Sequence, residues 1–137
     1  MLFAERRFTN RVARGAALLD EREPGWFNAV SPGILNVCSE NDCVLGQIGR
    51  HRYGIRRVAP AQPQRGGYSY MMQRLGLHRP VRYGFMTFGG KERIERLWRT
   101  EIGSRVGHPA RVQFVPSIEL DDLVTAPEPA RRESVGV

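Results

Sequence analysis

From Val44 to Lys91 the chain runs for 48 consecutive positions without an aspartate or glutamate, while eight arginines and one lysine give the segment a charge of +9. A fold holding such a stretch has two options. It leaves the cations in solvent, or it brings acids from elsewhere in the chain against them. The flanks can supply them: residues 1–42 carry five arginines against six acids, and residues 92–137 carry seven against eight. The whole excess of +7 therefore originates in the middle of the chain. Twenty of the 21 basic residues are arginine, which reads as a GC-rich coding sequence. Codon bias exchanges lysine for arginine, but it does not remove acids from 48 positions.

Hydrophobic spacing predicts the elements. Phe8, Val12, Ala16 and Leu19 recur at four, four and three, one face of a helix over residues 4–22 that Pro24-Gly25 ends. Asp20, Glu21 and Glu23 lie at its C-terminal end, the wrong sign for the helix dipole. Trp26 and Phe27, just past the corner, read as core anchors, and Ser31-Pro32 has the form of a capped helix start. Asn41 or Asp42 is expected to cap a short helix from Cys43 to Ile48, closed by Gly49. Residues 58–67 read as a mobile loop and residues 68–77 as a third helix that buries Met71, Met72 and Leu75. The clearest helix is Lys91–Val106, with Ile94, Leu97, Trp98 and Ile102 on one face. Glu92–Arg96, Glu95–Arg99 and Glu101–Arg105 are spaced as i, i+4 pairs on its outside.

These elements describe a mainly α, small single-domain helical protein with long loops. The domain is expected over residues 1–109, followed by a short docked segment at 110–124 and a disordered tail at 125–137. The single β candidate is a short strand near residues 111–115. With 137 residues, 15 glycines and 9 prolines, one modest core fits and two do not. No apolar run reaches the roughly 18 residues of a membrane span. MLFAERRFTNR is charged too early for a secretory leader, so a cytoplasmic protein without membrane contact is expected.

Catalytic signatures are lacking. Gly84 to Glu92 imitates a phosphate-binding loop, but an extra glycine precedes Lys91, and Glu92 stands where serine or threonine is required. No nucleophile motif is present, so no residue is assigned to catalysis. Cys38 and Cys43 have the separation of half a structural zinc site, with His51 and His78 as the nearby histidines. One cysteine pair without a second reads first as a buried small hydrophobe, Cys43, and a loop thiol, Cys38, and a cytosolic redox state disfavours a disulfide. No metal or other cofactor is assigned, and zinc through Cys38, Cys43 and His51 stands as an alternative.

Arg50, Arg52, Arg56 and Arg57 surround Tyr53, and Arg65, Tyr68, Tyr70 and Arg74 follow, so cations interleave with rings able to stack on bases. Arg50, Arg52, Tyr53, Arg56, Arg57, Arg65 and Arg74 are the candidate contact residues of a basic surface over residues 50–82. Three readings fit them: contact with nucleic-acid phosphates, contact with an acidic protein partner, or cations solvated or paired with the acids of the flanks. The helices at 68–77 and 91–106 are too far apart in sequence for a helix-turn-helix.

The blocks ALLDEREPGW, CVLGQ (Cys43 to Gln47), LGL, YGF and the Trp98-x-x-x-Ile102 pair, in this order, resemble small uncharacterised proteins of actinobacteria and their phages. The resemblance covers scattered blocks between Ala16 and Ile102. It implies a helical fold, a phage-related origin in the host cytoplasm and no activity. In that group a second cysteine stands closer to the CVLGQ block than Cys38 does here, which argues against carrying over a metal or redox role. The reading as a whole is a non-catalytic binding protein with a basic surface that contacts nucleic-acid phosphates. A protein-interaction module acting on a host or phage protein is the alternative.

Overall fold

A 21-residue helix, α1 (Leu2–Arg22), opens the computed structural model, which describes residues 2–106. The readings at residues 110–137 lie outside the described residues. Met1–Ser104 form one compact unit. Three more helices follow, α2 (Val44–Tyr53), α3 (Gly67–Leu75) and α4 (Lys91–Val106), joined by loops with short 3-10 turns, of which the first two, Trp26–Ala29 and Pro32–Ile34, lie between α1 and α2, and the described residues contain no strand. The protein is mainly helical, as the periodicity predicts.

The core is aromatic at its centre. Trp26 meets Trp98 edge to face at 5.7 Å between ring centroids, and Phe85 stacks on Trp98 at 5.5 Å. All three rings are buried, as are Val12, Leu19, Leu45 and Ile48. A buried indole needs a partner for its N–H, and both have one: Trp98 Nε1 donates to the Gly84 carbonyl at 2.7 Å, and Trp26 Nε1 donates to Asp20 Oδ1 at 2.9 Å. The corner between α1 and Trp26 is made by Gly25 at φ 77°, a left-handed conformation that suits a residue without Cβ.

Helix α2 differs from its expected form at both ends. Cys43, not Asn41 or Asp42, is the N-cap, its Sγ accepting from the Gly46 N–H at 3.3 Å. Gly49 does not end the helix, which continues through Arg50, His51 and Arg52 until Gly54 adopts φ 71°. Gly49 is needed for a different reason. A Cβ there would lie 2.5 Å from Gly67 Cα and 2.8 Å from its carbonyl oxygen, so α2 and α3 cross backbone on backbone at two glycines. This is the most extensive helix pairing in the unit. Helix α3 starts at Gly67, one residue earlier than expected, and stops at Leu75 with Gly76 as its left-handed cap. Met71 and Leu75 are buried as predicted, but Met72 is only half-buried.

Helix α4 has the predicted bounds, yet two of its three expected surface pairs have a buried member, Glu95 and Arg105. Glu95 points inward, 5% exposed, and its Oε2 accepts from the Val37 N–H at 2.9 Å and pairs with Lys91 Nζ at 2.8 Å. The carboxylate that spacing places outside instead holds the loop after the second 3-10 turn. Gln47, fully buried in α2, does similar work: its amide accepts from the Ser31 N–H and donates to the Ser31 and Asp42 carbonyls, so every strong bond it forms is to backbone.

Candidate functional site

Of the seven candidate contact residues, five are engaged within the fold. Glu23, 3% exposed just past α1, is the centre of the first group. Arg74 Nε donates to its Oε2 at 2.6 Å, Arg52 Nη1 to its Oε1 at 3.2 Å, and the Tyr53 hydroxyl lies 2.9 Å from both oxygens. Arg74 also lies 4.6 Å over the Tyr53 ring, and Tyr70 packs on that ring at 5.2 Å. Burial, with the Glu23 carboxylate beside it, pushes the Tyr53 phenol above its ordinary range. Arg52 further donates to the Pro24 carbonyl. One acid at the end of α1 therefore ties down side chains from α2 and α3.

Asp42 is the centre of the second group. Arg57 grips both carboxylate oxygens at 2.9 and 3.1 Å, and Arg50 reaches Oδ1 at 3.1 Å while its Nε donates to the Asn41 carbonyl. The hydrogen bond from Arg57 outweighs burial and holds the Asp42 carboxyl below the usual range. Asn41 then clamps the chain beyond Arg57, accepting from the Val58 N–H and donating to its carbonyl. Acids before the acid-free stretch thus fold onto its first half and onto Arg74. Arg56 and Arg65, the other two candidates, are exposed and form no ion pair among the described residues.

Another group of cations lies on a face that spacing along the basic stretch does not single out. The 3-10 turn Pro80–Tyr83 packs on α1, where a Cβ on Gly15 would strike the Tyr83 carbonyl. Arg14 Nη1 donates to the Arg82 carbonyl at 2.6 Å, and Arg22 Nη1 donates to the Leu75 carbonyl at 3.2 Å. Arg7 and Arg11 stand two turns and one turn before Gly15, on the same side of the helix. Beside them His78, Arg79, Arg82 and Tyr83 line a cleft of about 390 Å³. His78, Arg79 and Arg82 are exposed, and none forms an ion pair among the described residues. Glu21, two turns beyond Arg14, ends the stripe on α1.

Cys38 and Cys43 line one cleft, and His51 and His78 lie outside it. Cys43 is buried as the cap of α2, and burial pushes its thiol up to about 12. Cys38 is exposed, and both thiols are free. His51 Nδ1 lies 2.7 Å from the Ala29 carbonyl, and His78 is in the basic cleft. No three His, Cys, Asp or Glu side chains converge on a metal-sized space among the described residues. No helix among them is long and apolar enough to cross a membrane.

Comparisons with protein-family models, with curated proteins and with solved structures find no match.

Proposed function

We propose that the protein is a non-catalytic binding protein that contacts the phosphates of nucleic acid. The contact face is formed by Arg7, Arg11 and Arg14 of α1 with Arg79 and Arg82 of the neighbouring turn. The observation that carries this reading is the Arg14 to Arg82 hydrogen bond, which joins two runs of cations, far apart in sequence, into one surface. Residues 1–106 hold eighteen Lys and Arg against nine Asp and Glu, so the ion pairs at Glu23 and Asp42 leave a large excess for this face. Exposed guanidinium groups suit phosphate oxygens, and His78 and Tyr83 add a ring surface on which an unpaired base can rest. Arg56 and Arg65 remain available to extend the contact. Arg50, Arg52, Arg57 and Arg74 are assigned to holding the fold.

Fluorescence anisotropy of labelled duplex and single-stranded DNA and RNA, titrated at several salt concentrations, tests the proposal. The variant R11Q/R79Q/R82Q is expected to bind more weakly and to lose about 0.9 of log–log salt slope for each duplex phosphate contact removed. R50Q/R57Q is expected to keep the wild-type slope. Absence of binding at low salt, or equal loss from both variants, overturns this assignment.

A further inference from the structure

A second cleft, lined in part by Phe85, is unlike the basic one. It has a volume of about 410 Å³, within the range of small-ligand sites, and lies between the loop at residues 37–43, the start of α3 and the segment 85–88. Its floor is apolar: Val37, Cys43 and Phe85 are buried. Its rim is apolar as well, since Phe88 is 88% exposed and Met86 38% exposed, both lining the opening. Large apolar side chains left in water beside a cleft indicate a surface that is covered when the protein works.

The polar groups identify what covers it. Twelve residues line the cleft, and Glu40 is the only Asp, Glu, Lys or Arg among them. Cys43 and Tyr68 add no charge at neutral pH, burial holding each group at about 12. No hydrogen bond or ion pair within the described residues engages the Glu40 side chain. The nearby ammonium of Lys91 is already bound to Glu95 at 2.8 Å. Two other carboxylates of the unit each take two arginines, whereas Glu40 stands without a cation at the mouth of an apolar cleft.

We propose that this cleft binds a small organic cation, an ammonium or guanidinium carried on an apolar or aromatic body, with Glu40 taking the charge and Phe85, Met86 and Phe88 the body. The apolar part supplies affinity through burial, and the carboxylate supplies the sign of charge that is accepted. The field of the whole molecule acts the other way. At about 0.1 M salt it is screened beyond roughly 10 Å, so a preference for cations reports the local group. This inference does not depend on the phosphate-binding face.

The test uses three probes with one ring system, 1-naphthylmethylamine, 1-naphthylmethanol and 1-naphthoate, titrated into ¹⁵N-labelled full-length protein at about 0.1 M salt and neutral pH. The amine is expected to shift the amides of residues 37–43 and 85–88 and to bind at least about fivefold more tightly than the alcohol, with the carboxylate weakest. Glu40→Gln should bring amine and alcohol to equal affinity while leaving the alcohol within twofold of wild type. Phe88→Ala, at a position exposed enough to leave the fold intact, should weaken amine and alcohol alike. A carboxylate affinity equal to that of the amine, a cation preference that survives Glu40→Gln, or no shifts at these amides with millimolar probe overturns the proposal. A carboxylate three residues before an N-cap also suits the dipole of α2, and for that reason the readout is ligand preference and not stability.

Discussion

Glu23→Ala should cost this protein more than any other change of one charged residue. The carboxylate is 3% exposed and accepts from Tyr53, Arg52 and Arg74, which belong to two different helices. The half-buried Tyr53 hydroxyl loses a bond to a charged acceptor, worth about 1.5–3 kcal/mol. The two arginines have side chains 34% and 45% exposed, so water replaces much of what they lose. Discounted for that screening, their pairs add about 0.2–1 kcal/mol each. The expected loss is about 2–5 kcal/mol for Glu23→Ala and about half of that for Glu23→Gln, which keeps an acceptor for Tyr53. For a unit of this size, about 2 kcal/mol lowers Tm by roughly 8–16 °C. Urea unfolding followed by tryptophan fluorescence measures it, since Trp26 and Trp98 are both fully buried and in contact. Combining Glu23→Gln with Tyr53→Phe should show a coupling of at least about 0.5 kcal/mol. A Glu23→Ala variant within about 0.5 kcal/mol of wild type refutes the argument that this carboxylate joins α1 to α2 and α3.

Three further outcomes follow from the same geometry. Gly49→Ala forces a Cβ onto the Gly67 backbone and should destabilise by about 1–3 kcal/mol, whereas Gly103→Ala, in α4 with nothing within 4 Å of its Cβ position, should stabilise by about 0.5–1 kcal/mol. Urea midpoints of the two variants should fall on opposite sides of wild type. Asp42, lowered from 3.8 by the Arg57 hydrogen bond against burial, and Glu95, lowered from 4.5 because the bonds from Lys91 and the Val37 N–H outweigh its burial, each stabilise the fold above their unfolded pKa. That contribution is lost as pH falls through the folded values, so stability should decline below about pH 5, and D42N/E95Q should flatten the decline in a pH series of urea melts.

Much of the fold is legible in the chain because it depends on local pattern. Helix α4 announces itself by Ile94, Trp98 and Ile102, and α1 by Val12, Ala16 and Leu19, residues whose spacing alone defines a buried face. Gly49 is misread because a glycine after an apolar run has two meanings. Nothing local distinguishes a helix end from a close crossing, and the partner that decides it, Gly67, is 18 residues away. Glu95 is misread for a similar reason: its i, i+4 spacing to Arg99 is real, but a bare backbone N–H at Val37, 58 residues earlier, competes for the same oxygen. Long-range backbone donors leave no mark in a periodicity.

The acids at the end of α1 show how a local conflict points to a tertiary solution. Asp20 and Glu23 oppose the helix dipole, and a chain consistent at every level would not place them there without compensation. Asp20 takes the Trp26 indole N–H, and Glu23 takes Arg52, Tyr53 and Arg74. The acid-free stretch and the misplaced acids are thus two halves of one arrangement, each unfavourable alone. The same pairing moves the candidate binding face. A linear count of charge emphasises Arg50 to Arg57, where cations are densest, but the flanking acids reach three of the four arginines there, Arg50, Arg52 and Arg57. Arg56, Arg65, Arg7, Arg11, Arg79 and Arg82 are among the cations that form no ion pair within the described residues, and the last four belong to the two segments that meet where the Pro80–Tyr83 turn settles on α1. Replacing Glu23 and Asp42 by Gln and Asn should therefore raise nonspecific affinity for polyanions while lowering stability, because it frees arginines from structural pairs without adding a basic residue.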